Sequence, residues 1–364
     1  MEIVLIAGAR PNFMKIAPII KAIEKSNANG NKFLNYKLVH TGQHYDYKMS
    51  ESFFEQLGIP KPDINLDCGG GTQAEQTANI MVRFEAYLVK EPTDLVIVVG
   101  DVTSTMACAI VAQKLQTKVA HVEGGIRSGD WNMPEEINRI VTDSISNYFF
   151  TTSDKANQQL LSIGVKPDQI FYVGNTMIDT LMSNLSNLQK PSFFNELCFE
   201  KGKYFVMTLH RPSNVDEENY LGELLELIDS SVGDYPVVFP VHPRTHKILY
   251  ESGFKPFNIH YVGPQSYLEF NYLVKNSCGV ITDSGGITEE TTVMGIPCIT
   301  LRDSTERPET CDIGTNKLIG NDHQLLVESI HKIISGNWKK GQIPHLWDGK
   351  TSERIVDALL KLKF

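Results

Sequence analysis

The sequence predicts an α/β protein made of two Rossmann-like domains with parallel sheets facing a central cleft. Three observations predict it. At 364 residues and 41% hydrophobic content, the chain can build two ordinary cores. Short β-branched-rich runs alternate with helical spacers through both halves, the pattern of a parallel sheet covered by helices. Those runs end, again and again, in a small turn carrying a charged or hydrogen-bonding residue, and in open α/β sheets the C-terminal strand ends are where ligands bind.

The first series of strands runs Ile3 to Ala7, Tyr36 to His40, Asp94 to Val99, Val119 to Val122, Tyr148 to Thr151 and Ile170 to Val173. The second runs Tyr204 to Leu209, Val237 to Val241, Ile259 to Val262, Gly279 to Thr282 and Cys298 to Leu301. A polar stretch from Ser183 to Lys203, with Pro191 and Gly202, reads as an amphipathic or loose connector. Ile355, Leu359, Leu360 and Leu362 recur near helical spacing after Ser352, so a final amphipathic helix is expected. The expected domains are residues 1–175, carrying most of the catalytic carboxylates, and 176–350, binding the nucleotide. Helix 351–364 is expected to pack back towards the first domain.

A net charge of −9 argues against general affinity for nucleic acid, which needs a basic footprint. No window approaches the roughly 18 uninterrupted apolar residues of a membrane span, and Met1-Glu2 leads into a strand without a signal-peptide pattern, so a cytoplasmic protein is expected. Cys68, Cys108, Cys198, Cys278, Cys298 and Cys311 show no metal-ligand spacing and read as small core residues rather than disulfides or a zinc site. No strand is followed by GxGxxG, so a dinucleotide cofactor has no fingerprint.

In the first half the runs end in Gly8-Ala-Arg10-Pro-Asn-Phe-Met-Lys15, Thr41-Gly-Gln-His44, Gly100-Asp101, Glu123-Gly-Gly-Ile-Arg127 and Gly174-Asn175. A lone strand-end carboxylate is about as often a helix cap as a functional group; the convergence of several favours function. Pro134-Glu135-Glu136 followed by Arg139 suits a helix start with favourable charges, and one of the two glutamates remains available for chemistry. In the second half, His210-Arg211 and His242-Pro-Arg244 end successive strands, and His beside Arg twice suggests an anionic ligand. Asp283-Ser-Gly-Gly-Ile-Thr-Glu-Glu290 then offers two glycines for close backbone approach, and the following helix start suits phosphate. Glu289 or Glu290 could accept from a ribose diol. With Arg302 to Glu309 after the next strand, this reads as a nucleoside diphosphate site. Phe270 lies in a segment whose spacing is that of core packing, although its ring could stack on a base.

Eight ordered motifs between residues 8 and about 320 resemble those of UDP-N-acetylglucosamine 2-epimerases. They are Ala9-Arg-Pro-Asn-Phe-Met-Lys15, Thr41 to His44, Gly100-Asp101, His121 to Arg127, Pro134 to Arg139, Thr208 to Pro212, Asp283 to Gly286 and Thr305 to Pro308. The resemblance implies the glycosyltransferase-B type fold and, for non-hydrolysing members, interconversion of UDP-GlcNAc and UDP-ManNAc with no metal, NAD or other cofactor. It implies Asp101, Glu123, Glu135 and His210 as catalytic residues, with Arg10 and Lys15 nearby. Ser284, Gly285, Gly286, Glu290 and Arg307 would contact UDP, with Phe270 near uracil; His242 is added to the substrate-binding set from its place beside Arg244 at a strand end. Gln43 and His44 match the turn through which many bacterial members bind an activating second UDP-GlcNAc, and a homodimer is the family's usual state.

Hydrolysing relatives, which release ManNAc and UDP, typically carry an Arg-Ala-Glu/Asp-Tyr type turn where this chain has Arg10-Pro11-Asn12-Phe13, so the non-hydrolysing branch is expected. Asn12 departs from the commonest Arg-Pro-Glu turn, which leaves open a related UDP amino sugar, such as a 2,3-diacetamido uronate or a 6-deoxy sugar. Loss of UDP from C1 acidifies the C2–H of the sugar, so elimination to 2-acetamidoglucal and re-addition would need protonatable groups on both ring faces. Domain closure over the substrate would keep the glycal from water.

Overall fold

A computed structural model describes residues 1–30, 33–42, 58–211, 214, 218–241 and 256–362. Gln43, His44, His242 and Arg244 lie outside the described residues. The chain divides into two compact units, Met1–Ser183 with His345–Phe364, and Asn184–Pro344.

The first unit holds a seven-stranded parallel sheet. Its strands are β1 (Glu2–Ala7), β2 (Asn35–His40), β3 (Ile64–Asn65), β4 (Leu95–Val99), β5 (Lys118–Val122), β6 (Tyr148–Thr151) and β7 (Ile170–Tyr172). Their order is β3-β2-β1-β4-β5-β6-β7. All five residues of β4 are buried, as expected of a strand covered on both faces. On one face Val4, Ile6, Val39, Val96, Val98 and Val119 pack with Ile80, Phe84 and Ala107. The Arg10–Ala28 helix buries Ile16, Ile19, Ile20 and Ile23.

The second unit holds a six-stranded parallel sheet in the order β10-β9-β8-β11-β12-β13. These strands are β8 (Phe205–Thr208), β9 (Val237–Pro240), β10 (Ile259–Val262), β11 (Gly279–Thr282), β12 (Cys298–Thr300) and β13 (Asn316–Leu318). The two-residue alternation of β8 separates two cores: Phe205 and Met207 join Leu224, Phe239 and Ile281, whereas Tyr204 and Val206 join Val238, Val280 and Phe194.

The observed division differs from the expected 175/176 and 350/351 borders. The Thr176–Asn184 helix is tied to the first unit, where Ile178 and Leu181 are fully buried and Thr180 Oγ1 donates to the Met14 carbonyl at 2.6 Å. The return crossing precedes Trp347, which is 1% exposed and donates from Nε1 to the Thr152 carbonyl at 3.1 Å. The final helix, Thr351–Leu359, packs on the Arg10–Ala28 helix and buries Ile355, Val356 and Leu359. Asp179 caps it, accepting from Thr351 N at 3.0 Å and Ser352 N at 2.7 Å.

The connector is not loose: the Phe193–Glu196 helix drives Phe194 into the core, edge-on to Phe199 and Tyr204. All six cysteines are free thiols, yet Cys198 is exposed and has φ +55°, so it is a surface turn residue and not a core one. Among the described residues no helix is long and apolar enough to cross a membrane.

Candidate functional site

In each sheet the strand order reverses direction between two central strands, β1 and β4 in the first unit, β8 and β11 in the second. At such points the flanking connections leave on opposite sides and open a crevice at the strand ends.

In the first unit β1 delivers Arg10 and Lys15 on the first turns of the Arg10–Ala28 helix. Asn12 is 2% exposed; its Oδ1 accepts from Gly8 N at 3.2 Å and Ala9 N at 2.9 Å, and its Nδ2 donates to the Val99 carbonyl at 2.9 Å. Asn12 therefore staples the ends of β1 and β4. Gly100, at φ +67°, follows β4, and a Cβ there would lie 3.3 Å from Lys15 Nζ and 3.7 Å from Glu123 Oε2. Lys15 Nζ meets Glu123 Oε2 at 2.7 Å, with the Glu123 side chain only 4% exposed. Glu123 itself sits at φ +71°, a conformation costly for a side-chain-bearing residue and typical of functional turns.

Asp101 follows Gly100. Arg139 Nε and Nη2 both donate to Asp101 Oδ2, at 3.1 and 2.6 Å, while the Asp101 side chain is 32% exposed. Arg139 is buried, and its Nη1 donates to Glu136 Oε2 at 2.6 Å. Glu136 also accepts from Ser128 N and Gly129 N at 2.9 and 3.0 Å. Burial alone would raise the Glu136 carboxyl, but these amides and Arg139 hold it below its ordinary value. The two adjacent glutamates are thus distinct: Glu136 is 2% exposed and fully engaged, whereas Glu135 is half-buried and makes no hydrogen bond among the described residues.

In the second unit Asp283, fully buried at the end of β11, organises the turn after β8. Its Oδ2 accepts from His210 N and Arg211 N, both at 2.9 Å, and from Asn214 Nδ2 at 3.0 Å. His210 Nδ1 lies 2.6 Å from Oδ1, on a side chain 62% exposed. Burial opposes ionisation of Asp283, but His210 and the two amides outweigh it and bring the carboxyl down to about 2.

Ser284 precedes the Gly285–Met294 helix, and no side chain caps that helix start. A Cβ on Gly286 would meet nothing within 4 Å, and one on Gly285 would approach Arg302 Nη1 at 3.3 Å. Neither glycine has a positive φ, so turn geometry does not distinguish them; the space is open at Gly286, whereas Gly285 faces the Arg302 guanidinium. Exposed helix N–H groups with room in front suit an anion.

Glu289 and Glu290 are each 4% exposed. Glu289 Oε1 accepts from Arg307 Nε at 2.5 Å, and Arg307 is itself buried. Glu290 Oε1 accepts from Tyr267 OH at 2.8 Å and Asn271 Nδ2 at 3.5 Å. Phe270 is half-buried and packs against the core that holds Phe194 and Tyr204.

Burial raises the Glu290 carboxyl from 4.5 to about 7. A carboxyl raised on folding contributes stability that is whole below its unfolded value and lost as the pH climbs through the folded one. Stability of this unit is therefore expected to fall by about 3 kcal/mol between pH 5 and pH 8 on account of Glu290. Urea unfolding at both pH values checks this, and the decline should shrink by that amount in Glu290→Gln.

The family profile described as UDP-N-acetylglucosamine 2-epimerase matches residues 26–360. The chain belongs to the UDP-N-acetylglucosamine 2-epimerase family. A protein of Methanocaldococcus jannaschii named UDP-N-acetylglucosamine 2-epimerase is 41% identical over 379 residues, covering 100% of both chains. One of Pseudomonas aeruginosa named UDP-2,3-diacetamido-2,3-dideoxy-D-glucuronate 2-epimerase is 38% identical over 366 residues, again covering 100% of both. Among solved structures, the M. jannaschii UDP-GlcNAc 2-epimerase in complex with UDP-GlcNAc and UDP aligns with a TM-score of 0.85, covering 99% of each chain. The Neisseria meningitidis UDP-GlcNAc 2-epimerase bound to UDP-GlcNAc, at 30% identity, aligns with a TM-score of 0.88 and covers 100% of each.

Within this family frame, the first unit brings Arg10, Lys15, Asp101 and Glu123 to neighbouring strand ends, with Glu135 on the first turn of the helix after β5, and the second brings His210, Ser284, Gly285 and Gly286 to its own. Arg139, Asp143, Asp283 and Tyr267 are not among the expected site residues, and Glu289 was expected only as an alternative to Glu290, although each holds one of them or its neighbour. The charges at 136, 139 and 143 fall three and four residues apart, on one helix face. A charged stripe at core spacing is the signal that could have found them.

Proposed function

We propose that the protein interconverts UDP-GlcNAc and UDP-ManNAc without net hydrolysis, through elimination of UDP to 2-acetamidoglucal and re-addition. The observation that supports this most is the carboxylate set that follows β4 and β5, beside the β1/β4 switch point. Glu123 lies against Lys15, Asp101 is held on one oxygen by Arg139, and Glu135 carries no internal partner among the described residues.

In the forward direction a base takes the C2 proton while the C1–O bond to UDP breaks, leaving a C1=C2 double bond. A proton then returns to the other face of C2 and UDP re-adds at C1. Asp101 and Glu135 form the acid/base pair, and Glu123 supports them or relays a proton through Lys15. His210, Arg10 and Lys15 stabilise the departing diphosphate. Ser284, Gly285, Gly286 and the helix start behind them bind its phosphates, and Glu290, Arg307 and Phe270 serve the nucleoside. The enzyme acts as a homodimer in the cytoplasm, and its chemistry needs no metal or dinucleotide.

Asn12 does not argue for a different sugar, because both ends of its amide are spent on backbone groups. The diacetamido uronate reading rests on the P. aeruginosa relative alone.

The deciding measurement is proton NMR in heavy water with UDP-GlcNAc and, separately, with a UDP-2,3-diacetamido uronate. The expected result is deuterium at C2 and a mixture of UDP-GlcNAc and UDP-ManNAc. Free ManNAc as the main product, or turnover of the uronate alone, sinks the proposal.

A further inference from the structure

One buried cluster in the first unit touches none of the residues assigned to substrate by side-chain contact, yet it joins the two turns that carry them. His121 lies on β5, is fully buried, and pairs in register with Val98 of β4 and Phe149 of β6. A histidine inside a parallel sheet loses its water and needs a partner at each nitrogen. It has both: Nε2 lies 2.8 Å from the Gly100 carbonyl oxygen, and Nδ1 lies 2.7 Å from Asp143 Oδ1. A carbonyl oxygen only accepts, so Nε2 carries a proton, and the Nδ1 side of the ring faces a carboxylate.

Asp143 belongs to the Pro134–Ile145 helix, and its side chain has no exposure. Its other oxygen, Oδ2, accepts from Gly125 N at 3.0 Å and from Arg127 Nη1 at 2.6 Å. Burial opposes ionisation of Asp143, but His121 and Arg127 hold it below its ordinary value. The result is one continuous polar brace running from Gly100 through His121 and Asp143 to Gly125 and Arg127.

The ends of this brace are informative. Gly100 is the residue before Asp101, and Gly125 lies two residues after Glu123. Both glycines have positive φ, as does Glu123 between their turns. Gly125 cannot be relieved by a side chain, since a Cβ there would lie 2.4 Å from the Ala156 carbonyl oxygen. Two unusual backbone turns, on neighbouring strands, are therefore joined by this side-chain pair in addition to the backbone bond from Gly100 N to the Val122 carbonyl at 3.0 Å. Catalytic groups need placement within a fraction of an ångström, and buried hydrogen-bonded supports are how proteins achieve it.

We propose that His121 and Asp143 are positioning residues for the epimerisation, setting the Asp101 and Glu123 turns relative to one another through the backbone of Gly100 and Gly125. This rests on the reading that Asp101 and Glu123 work on the sugar. A purely structural role would lower stability and leave the rate of each folded molecule unchanged; a positioning role lowers kcat at unchanged nucleotide affinity.

The test uses the full-length protein with His121→Asn, Asp143→Asn and Arg127→Lys. Asn at 121 retains a donor near the Nδ1 position and loses the link to Gly100. Arg127 is partly exposed, so Arg127→Lys probes the outer end of the brace with the least risk to folding. Rates are referred to the fraction of molecules folded in both transitions of urea unfolding followed by circular dichroism, and UDP binding by calorimetry is a separate readout, since that function belongs to the other unit. The expected result is a 10- to 100-fold loss of kcat for His121→Asn and Asp143→Asn and a 3- to 10-fold loss for Arg127→Lys. KM and the Kd for UDP should stay within about twofold. Wild-type kcat per folded molecule in Arg127→Lys, or in either buried variant that folds, overturns the proposal, as does a loss confined to KM. Failure of the wild-type enzyme itself to exchange the C2 proton would instead count against the function on which the proposal rests.

Discussion

Asp101→Asn and Glu135→Gln are each expected to lower kcat by two to four orders of magnitude, the range seen when a general acid or base is removed, with UDP affinity unchanged. The argument starts from what each carboxylate touches. Arg139 places two donors on Oδ2 of Asp101, and the side chain keeps a third of its surface open. A group held on one oxygen and open on the other is oriented and able to exchange a proton. Glu135 is open without such a clamp, on the first turn of the helix whose next residue, Glu136, anchors Arg139. The control is Glu136→Gln, which leaves Glu135 in place but weakens the hold on Arg139. It should cost stability and a smaller part of kcat. Steady-state rates, together with C2 deuterium exchange followed over hours, separate the cases: the acid/base variants lose exchange in proportion to turnover without releasing glycal, while a variant defective only in re-adding UDP would lose exchange and accumulate 2-acetamidoglucal and UDP.

Much of this arrangement was legible because the physics is local. β4 reads as a strand from five consecutive buried apolar residues, and the rule that ligands gather at strand ends then places Asp101 and Glu123 without further help. β3 and β13 were not legible: they have two and three residues, and pairing with β2 and β12, not any pattern of their own, makes them strands. The domain border was misplaced for a similar reason. Trp347 and the Thr176–Asn184 helix belong to the first unit through partners that are distant in sequence. In the site itself, the sequence could not separate Glu135 from Glu136, since adjacent carboxylates differ only in which way the helix turns them. Nor could it show that Arg139, Asp143 and Arg307 are buried in ion pairs, because a charged residue in a helical stretch is usually solvated.

The strongest structural dependence in the second unit is Asp283, and Asp283→Ala is expected to destabilise that unit by about 3–5 kcal/mol, as when one partner of a buried charged network is removed. The side chain has no exposure, and the change would strip acceptors from His210 N, Arg211 N and Asn214 Nδ2 at once. Each abandoned buried donor costs about 1–3 kcal/mol. Acid titration gives an independent measure on the wild-type protein. A carboxyl held at about 2 on folding contributes stability that is present above its unfolded value of 3.8 and lost as the pH falls through the folded one. That contribution is about 2.5 kcal/mol, so urea unfolding at pH 6 and pH 2 should show a decline that Asp283→Asn removes in large part. The same turn presents His210, and Ser284 and Gly285 follow Asp283 directly, so the variant should also lose UDP binding by calorimetry. Retention of wild-type UDP affinity in a folded Asp283→Asn protein would separate the two: the Asp283 network would then hold the β8 turn without shaping the phosphate site at the start of the Gly285–Met294 helix.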